Sequence, residues 1–188
     1  DTAVFVLNAV EGVQVGTEQA WRYAKEMEKP AMFVVNQLDR GETSFESLIS
    51  PIQERFGRAA TVVQLPGGEG SRSIIDVMVM KQLTFPEHST EVKVSQIPEA
   101  FADEAERLHS ELVENIAEND EELMELYFEQ GTLTESQMRE GLRQAMINRQ
   151  LFPIFLTGAT ENIGVGRLMS FIDYVCPSPE QMPGAETV

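Results

Sequence analysis

Apolar runs that end abruptly in polar loops constrain the fold more than any other feature of this sequence. Residues 2–9 and 31–35 form two such runs, and a helical pattern lies between them. Neither run alternates with polar residues, which predicts strands buried on both faces of a sheet. Thr17 is the expected N-cap of the intervening helix, and Lys29-Pro30 its stop. Strand, helix and strand predict a βαβ unit and therefore a parallel sheet.

The same pattern returns late in the chain. LFPIFLTGAT (residues 151–160) is a third apolar run, and a helical apolar face follows it before Pro177. Residues 42–149 differ, because short strand-like segments (TVVQLP, IIDVMVMKQLTF and EVKVS) come first and amphipathic helices follow, as in an α+β module. Thr134 and Gln137 have capping-box spacing at the start of one of these helices.

The predicted fold class is therefore α/β, a doubly wound parallel sheet interrupted by an inserted α+β subdomain. The predicted division assigns residues 1–41 and 150–178 to the sheet, 42–149 to the insertion and 179–188 to a linker. The chain enters a strand at its first residues, without an initiator methionine, so we expect a fragment of a longer protein.

Net charge narrows the possible partners. Asp and Glu total 31 against 14 Lys and Arg, a formal net charge of -17. Such a surface repels a phosphate backbone, so we expect no direct nucleic-acid binding, whereas a basic protein is attracted. Thirteen acidic residues and the single cation Arg107 lie within residues 99–135. This stretch is either a solvated helix face or a docking surface.

Cysteine content and hydropathy indicate the compartment. Cys176 is the only cysteine, so the chain has no internal disulfide, as is typical of a reducing environment. No apolar run approaches the roughly 18 residues that a membrane helix needs. We therefore expect a cytoplasmic protein without a membrane partner. Cys176 has no cation beside it in the sequence, so we expect an unreactive thiol.

Two strand ends carry the candidate site. Asn36, Gln37 and Asp39 follow the second apolar run, and Gly158-Ala159-Thr160 follows the third. Ligands of doubly wound sheets bind at the carboxyl ends of the strands. A carboxylate such as Asp39 can accept the adjacent N1–H and N2–H donors of guanine, and a loop N–H can donate to O6. Such a site would reject adenine.

Asn36 has two possible roles in this hypothesis, since its amide can tie the two loops together or reach the ring. A simpler interpretation also stays open, because Asn-x-x-Asp after a strand often closes an ordinary turn.

The order of these segments resembles the translational GTPases, and within them elongation factor G. VEGVQVGTEQAWRYA is similar to the segment after that family's Asp-x-x-Gly loop, and NQLDR stands where the family carries Asn-Lys-x-Asp. The stretches VVQLPGGEG, IIDVMVMK, ENDEELMELYFEQGTLTESQMREGLRQAMINR and IDYVCPSP resemble the inserted G′ subdomain and its exit.

This resemblance implies a P-loop-GTPase-type fold and a parent protein that hydrolyses GTP with Mg²⁺ while promoting ribosomal translocation. Asn36 and Asp39 would read guanine, with the backbone N–H of Ala159 and the neighbouring Gln37, Gly158 and Thr160 completing the site. The acidic G′ helices would face the ribosomal stalk protein.

Departures from the family pattern leave alternatives open. Gln37 replaces the family's lysine, and Gly158 replaces a serine. No G-x-x-x-x-G-K-[ST] loop occurs in the chain, so we expect no bound cofactor and no hydrolysis by this chain alone. One alternative is a degenerate, nucleotide-free G domain that binds the ribosome or its stalk. Another is a ribosomal-protection or release-type GTPase.

The remaining polar residues give no second site. His88 and His109 have no partner at zinc-ligand spacing, so surface roles are expected and no metal site is predicted. Glu121, Glu122 and Glu125 are expected to be solvated acids rather than a catalytic cluster.

Overall fold

The computed structural model of the protein describes residues 2–40, 44–68, 72–87 and 91–182. His88 lies outside these ranges. In chain order the elements are β1 (Ala3–Asn8), α1 (Val15–Glu26), β2 (Ala31–Asn36), α2 (Phe45–Phe56), β3 (Ala60–Val62), β4 (Gln64–Pro66), β5 (Ser73–Asp76), β6 (Lys81–Thr84), β7 (Lys93–Ser95), α3 (Glu99–Ala117), α4 (Glu121–Gln130), α5 (Glu135–Ile147), β8 (Phe152–Leu156) and α6 (Val165–Tyr174). None of the described helices is long and apolar enough to cross a membrane.

Two four-stranded sheets organise these elements. One is parallel, in the order β1-β2-β8-β3, and the other is antiparallel, in the order β4-β5-β6-β7. The predicted α/β class, with a parallel sheet and additional α+β elements, is confirmed.

Helices cover both faces of the parallel sheet. On one face, Trp21 of α1 and Phe56 of α2 pack on Phe33 of β2, with ring centroids 5.4 and 4.8 Å from it. On the other face, Phe171 of α6 packs on Phe155 of β8 at 4.4 Å. Strand side chains alternate between the two faces, so the central strands β2 and β8 contribute to both layers. This arrangement is the doubly wound one that the sequence predicts.

The edge strand β1 departs from its prediction. Phe5 and Leu7 are buried, but Val4 and Val6 are 44% and 64% exposed. The prediction of burial on both faces is therefore wrong for β1. Its aromatic partner Trp21 lies on the side of Phe5, and within the described residues the opposite side stays largely open.

The chain leaves the parallel sheet after Val62, in the middle of the segment predicted as one strand, TVVQLP. β3 pairs with β8, and β4 pairs with β5 in the antiparallel sheet. At the crossing, the side-chain Oε1 of the fully buried Gln64 accepts a hydrogen bond of 2.9 Å from the backbone N–H of Leu156. The Gln64 side chain thus replaces the backbone partner that β3 no longer supplies.

The pairing of β3 places residues 60–62 in the parallel sheet, although the sequence assigns them to the insertion. The division of the chain at residues 41, 149 and 178 otherwise stays a prediction.

IIDVMVMKQLTF is a hairpin rather than one continuous strand. Oδ1 of Asp76 accepts hydrogen bonds from the N–H groups of Met78 (3.1 Å) and Val79 (3.3 Å). This local bonding favours a turn over an extended chain, so the chain reverses and β6 pairs back on β5. The sequence also suggests that IIDVMVMKQLTF and EVKVS pair as antiparallel neighbours, and β6 does pair antiparallel with β7.

The start of α1 was predicted wrongly. The helix begins at Val15 with Gln14 as its N-cap, so Thr17 lies inside the first turn. The N–H of Gly12 donates to the carbonyl of Asn8 at 2.8 Å, and this turn brings the chain into the helix early.

Other helix ends agree better with the sequence. The sequence predicts a helix that Gly57 ends, and Gly57 is the C-cap of α2. The capping box predicted at Thr134 and Gln137 is formed at α5. The spacing of Ala20, Trp21, Ala24 and Met27 predicts one buried face for α1, but Ala20 and Met27 are exposed. Met27 lies beyond the helix end at Glu26.

Gly164, the N-cap of α6, generates a stability prediction. Its φ is +73°, and a Cβ there would lie 2.5 Å from the carbonyl oxygen of Leu156 and 2.7 Å from Cδ1 of Ile74. We expect Gly164→Ala to lower the free energy of unfolding by about 1–3 kcal/mol, through backbone strain and overpacking. Urea denaturation with linear extrapolation measures the change.

Gly166→Ala is the matched control, because that glycine lies in α6 with open space where its Cβ would be. It should keep or raise the stability, by at most about 1 kcal/mol. Equal effects of the two substitutions would contradict the assigned contacts of Gly164.

Candidate functional site

The two predicted loops meet at one edge of the parallel sheet. β2 and β8 are neighbours, with Val35 opposite Leu156, so their carboxyl ends lie side by side. Just beyond the ladder, the N–H of Leu38 donates to the carbonyl of Thr157 at 3.1 Å. Residues 36–39 and 157–160 are therefore in contact although about 120 positions separate them in the sequence.

Asn36 ties the two loops together. Its Oδ1 accepts hydrogen bonds from Oγ1 of Thr157 (3.1 Å) and from the backbone N–H of Ala159 (2.9 Å). The first of the two roles foreseen for Asn36 is thus the one the structure contains. The N–H of Ala159, which the sequence hypothesis reserves for guanine O6, has Asn36 as its partner here.

Asp39 faces the second loop. Its Oδ1 lies 3.0 Å from the position that a Cβ on Gly158 would take. The carboxylate is 16% exposed, and its Oδ2 lies 3.9 Å from Nε of the exposed Arg40. The glycine leaves room for the carboxylate beside the backbone of residue 158, so Asp39 and the Gly158-Ala159 segment occupy one site.

Gln37 turns away from the second loop. Its φ is +70°, and its Oε1 accepts a hydrogen bond of 3.1 Å from Nδ2 of Asn8 at the end of β1. Oδ1 of Asn8 accepts in turn from the N–H of Val10 at 2.8 Å. Sequence reasoning missed Asn8, which lies near the end of the first apolar run, much as Asn36 follows the second.

Backbone hydrogen bonds within the second loop fix its shape. Gly158 and Ile163 exchange two backbone hydrogen bonds of 2.9 Å, and Ala159–Glu161 form a 3-10 turn between them. Ala159 and Thr160 are exposed at the tip of this turn. A ligand beside Asp39 could therefore reach both residues.

The other titratable residues considered in the sequence give no second centre. His109 is half-buried, and its Nδ1 lies 2.6 Å from the carbonyl of Val77, so the ring donates a hydrogen bond there. The surface role expected for His109 is therefore wrong, because α3 packs this face against the hairpin turn. Burial raises the pKa of the Cys176 thiol to about 11, which disfavours the reactive thiolate.

Neither the metal-ligating residue types of the described ranges nor the cleft at the start of β2 and β8 points to another site. Glu121, Glu122 and Glu125 are exposed on α4, and no group of His, Cys, Asp or Glu in those ranges could hold a metal ion. A cleft of about 610 Å³ lies where β2 and β8 begin, and two of its cations are paired: Arg55 with Glu18 and Arg149 with Glu28. It is at the opposite edge from the loops, whereas ligands of doubly wound sheets bind at the carboxyl ends.

Comparison with known proteins agrees with this fold. A crystal structure of a protein from Thermus thermophilus is similar to 95% of this chain, with a TM-score of 0.85 and 31% sequence identity. The match spans 27% of the Thermus chain. The family model of the elongation factor Tu GTP binding domain matches residues 1–178. The chain therefore belongs to the family of the elongation factor Tu GTP-binding domain, that is, to the translational GTPases.

Proposed function

We propose that this chain is the guanine-reading part of an elongation-factor-G-like GTPase that promotes ribosomal translocation in the cytoplasm. The observation that carries the proposal is the juxtaposition of Asp39 with Gly158 across two loops that Asn36 ties together. In this proposal Asn36, Asp39 and Ala159 contact the base, and Gln37, Gly158 and Thr160 shape the surrounding loops.

Asp39 selects the base in this scheme. Its two carboxylate oxygens accept the N1–H and N2–H donors of guanine, and adenine has no matching donor pair at that edge. A site that leaves a partly buried carboxylate unpaired with the wrong base discriminates strongly. The 16% exposure of Asp39 supports this, because little water remains to compensate the missing donors.

Asn36 and Ala159 complete the contacts. Oδ1 of Asn36 is engaged by Thr157 and Ala159, which leaves Nδ2 as the donor end of that side chain toward the ring. For Ala159 to donate to O6, its N–H must be shared between O6 and Oδ1 of Asn36 in a three-centre hydrogen bond.

The chemistry of the parent protein lies outside these residues. When bound, GTP with Mg²⁺ supplies the phosphoryl group that is transferred to water. The described residues contain no metal-binding group, and the full sequence contains no phosphate-cradling loop motif. The proposed contribution of this chain is selection of the base.

A docking role for the acidic helices is part of the same proposal. α3 and α4 carry most of the acidic residues of the stretch 99–135, and Phe128 is 78% exposed on α4. Nearby, the hydroxyl of Tyr127 donates to Glu114 at 2.9 Å, which raises the pKa of Tyr127. An exposed aromatic among carboxylates fits a basic protein surface, and we propose the ribosomal stalk protein as the partner.

One alternative has a specific observation in its favour. The side chain of Gln37 is bonded to Asn8, and the N–H of Ala159 is bonded to Asn36, so residues of the chain itself already satisfy both groups. A nucleotide-free docking module would have this arrangement. A ribosomal-protection or release-type factor shares the guanine-reading proposal and differs in the rest of the parent protein.

Titration of the 188-residue chain with nucleosides tests guanine reading. Guanosine should shift the amide resonances of Asp39, Ala159 and Thr160 with a dissociation constant of about 1 mM or weaker, since no phosphate contact contributes. Adenosine should leave them unchanged. Asp39→Asn should weaken guanosine binding about 10- to 100-fold, as expected for hydrogen bonds to a charged group. The same variant should gain xanthosine binding, because its amide can donate to the O2 of xanthine.

Asp173→Asn is the control for this titration, since it removes the same charge from an exposed position in α6. Guanosine binding should be unchanged in it. Absence of any base-selective shift in the unsubstituted chain would reject guanine reading and favour the docking module.

Measurement of phosphate release from GTP tests whether this chain hydrolyses GTP by itself. The purified 188-residue chain with Mg²⁺ should release no phosphate above the buffer control, because positioning and charge stabilisation of the phosphates supply nearly all of this catalysis. A Mg²⁺-dependent rate proportional to protein concentration would show that the chain holds catalytic groups of its own.

A further inference from the structure

We propose that one face of β5, with Arg72 just before it, positions the guanine-reading loop, so that the antiparallel sheet sets how well the site binds the base. This inference rests on the proposed function and concerns the loop of residues 158–162. Three side chains contact successive points of the segment 161–167. They are Arg72, which lies just before β5, and Ile74 and Asp76 on the same face of β5. Arg72 acts through this loop and is a positioning residue.

Arg72 makes the contact nearest to the loop tip. Its Nη1 donates to Oε2 of Glu161, its Nη2 to the backbone carbonyl of Glu161, and its Nε to the carbonyl of Phe85, each at 2.7 Å. Glu161 ends the 3-10 turn that contains Ala159 and Thr160. A planar guanidinium held by three acceptors fixes direction as well as distance.

Ile74 makes the middle contact. Its side chain is fully buried, and its Cδ1 lies 2.7 Å from where a Cβ of Gly164 would be. The backbone of Gly164 therefore packs directly on Ile74, at the point where the loop passes into α6.

Asp76 makes the third contact. It is 1% exposed, and its Oδ2 accepts a hydrogen bond of 2.5 Å from Nε of Arg167 in the first turn of α6. Oδ1 of Asp76 also holds the hairpin turn through Met78 and Val79. Loss of a partner from a buried ion pair leaves an uncompensated charge, so this contact is costly to break.

Together these contacts place the loop between two supports. Side chains two residues apart point to the same face of a strand, so Arg72, Ile74 and Asp76 form one row. Asn36 holds the loop from β2, and this row holds the loop and the start of α6 from β5. Recognition groups held on both sides lose less freedom when a ligand binds, and affinity rises accordingly.

A reciprocal effect follows from this arrangement. If the antiparallel sheet orders the loop, guanine binding must stabilise the contacts of β5 by the same free energy. The row formed by Arg72, Ile74 and Asp76 thus couples the candidate site to the antiparallel sheet.

Arg72→Met tests the proposal, because methionine keeps the apolar stem and removes the guanidinium. In the 188-residue chain, we expect amide hydrogen exchange of Gly158, Asn162 and Ile163 to accelerate about tenfold and guanosine to bind about tenfold more weakly. Arg72→Lys should recover part of both effects, since it restores the charge without the planar fork. Exchange in β1 and β2 should not change.

Arg107→Met is the matched control, because Arg107 forms an exposed ion pair with Glu111 within α3. It should alter neither quantity. Should Arg72→Met fail to fold, Glu161→Gln supplies the test, since it removes the ion pair and leaves the backbone acceptor. A folded Arg72→Met with unchanged loop exchange and unchanged guanosine affinity overturns the proposal.

Guanine reading and the positioning role of Arg72 can be rejected separately. If the unsubstituted chain shows no guanosine-induced shift, guanine reading fails, and the exchange measurement still decides whether Arg72 orders the loop. If guanosine binds equally well to the unsubstituted chain and to Arg72→Met, and loop exchange is equal in the two, guanine reading stands and the positioning role of Arg72 is rejected.

Discussion

Parallel pairing of β2 with β8 is the constraint on which the rest of this structure depends. It brings together two loops that lie far apart in the sequence, and it fixes which residues emerge side by side. The hydrogen bonds from Thr157 and Ala159 to Asn36 then join the loops beyond the last ladder position. A shift of one residue in the register would turn Asn36 and Thr157 to opposite faces and would separate Asp39 from Gly158.

Amide side chains close the ends of the strands throughout this region. Asn8 pairs with Gln37, Asn36 with the loop after β8, and the buried Gln64 with the backbone of Leu156. An amide carries both a donor end and an acceptor end, so it can replace a missing backbone partner without adding a charge. The same property makes these residues suitable for holding a neutral base edge. The same type of side chain thus serves both the closure of the sheet and the polar chemistry of the site.

Locally encoded features were predictable from the sequence. The apolar strands, the end of α2 at Gly57 and the capping box of α5 depend on residues within a few positions of one another. The candidate loops were also found, because polar residues after apolar runs have a general meaning in parallel sheets. The sequence could not choose between the two roles foreseen for Asn36, since the choice depends on the distance to Ala159.

Features that depend on distant contacts were missed. Arg72 bonds to Glu161, and Asp76 bonds to Arg167, although about 90 residues separate the members of each pair. Hydrophobic periodicity does not predict contacts of this kind. The split of TVVQLP between two sheets has the same origin, because β8 supplies a partner to its first half only. Thr17 shows the reverse case, in which a good capping residue is bypassed because the turn at Gly12 starts the helix earlier.

The close approach of Asp39 to Gly158 has an evolutionary consequence. A side chain at position 158 would begin 3.0 Å from the carboxylate oxygen and 3.2 Å from the side chain of Ile163. A side chain at position 158 is therefore accommodated only if the side chains of Asp39 and Ile163 move by a few tenths of an ångström. Any lineage that gains a side chain at position 158 must therefore tolerate a small displacement of the carboxylate that the proposal assigns to the base.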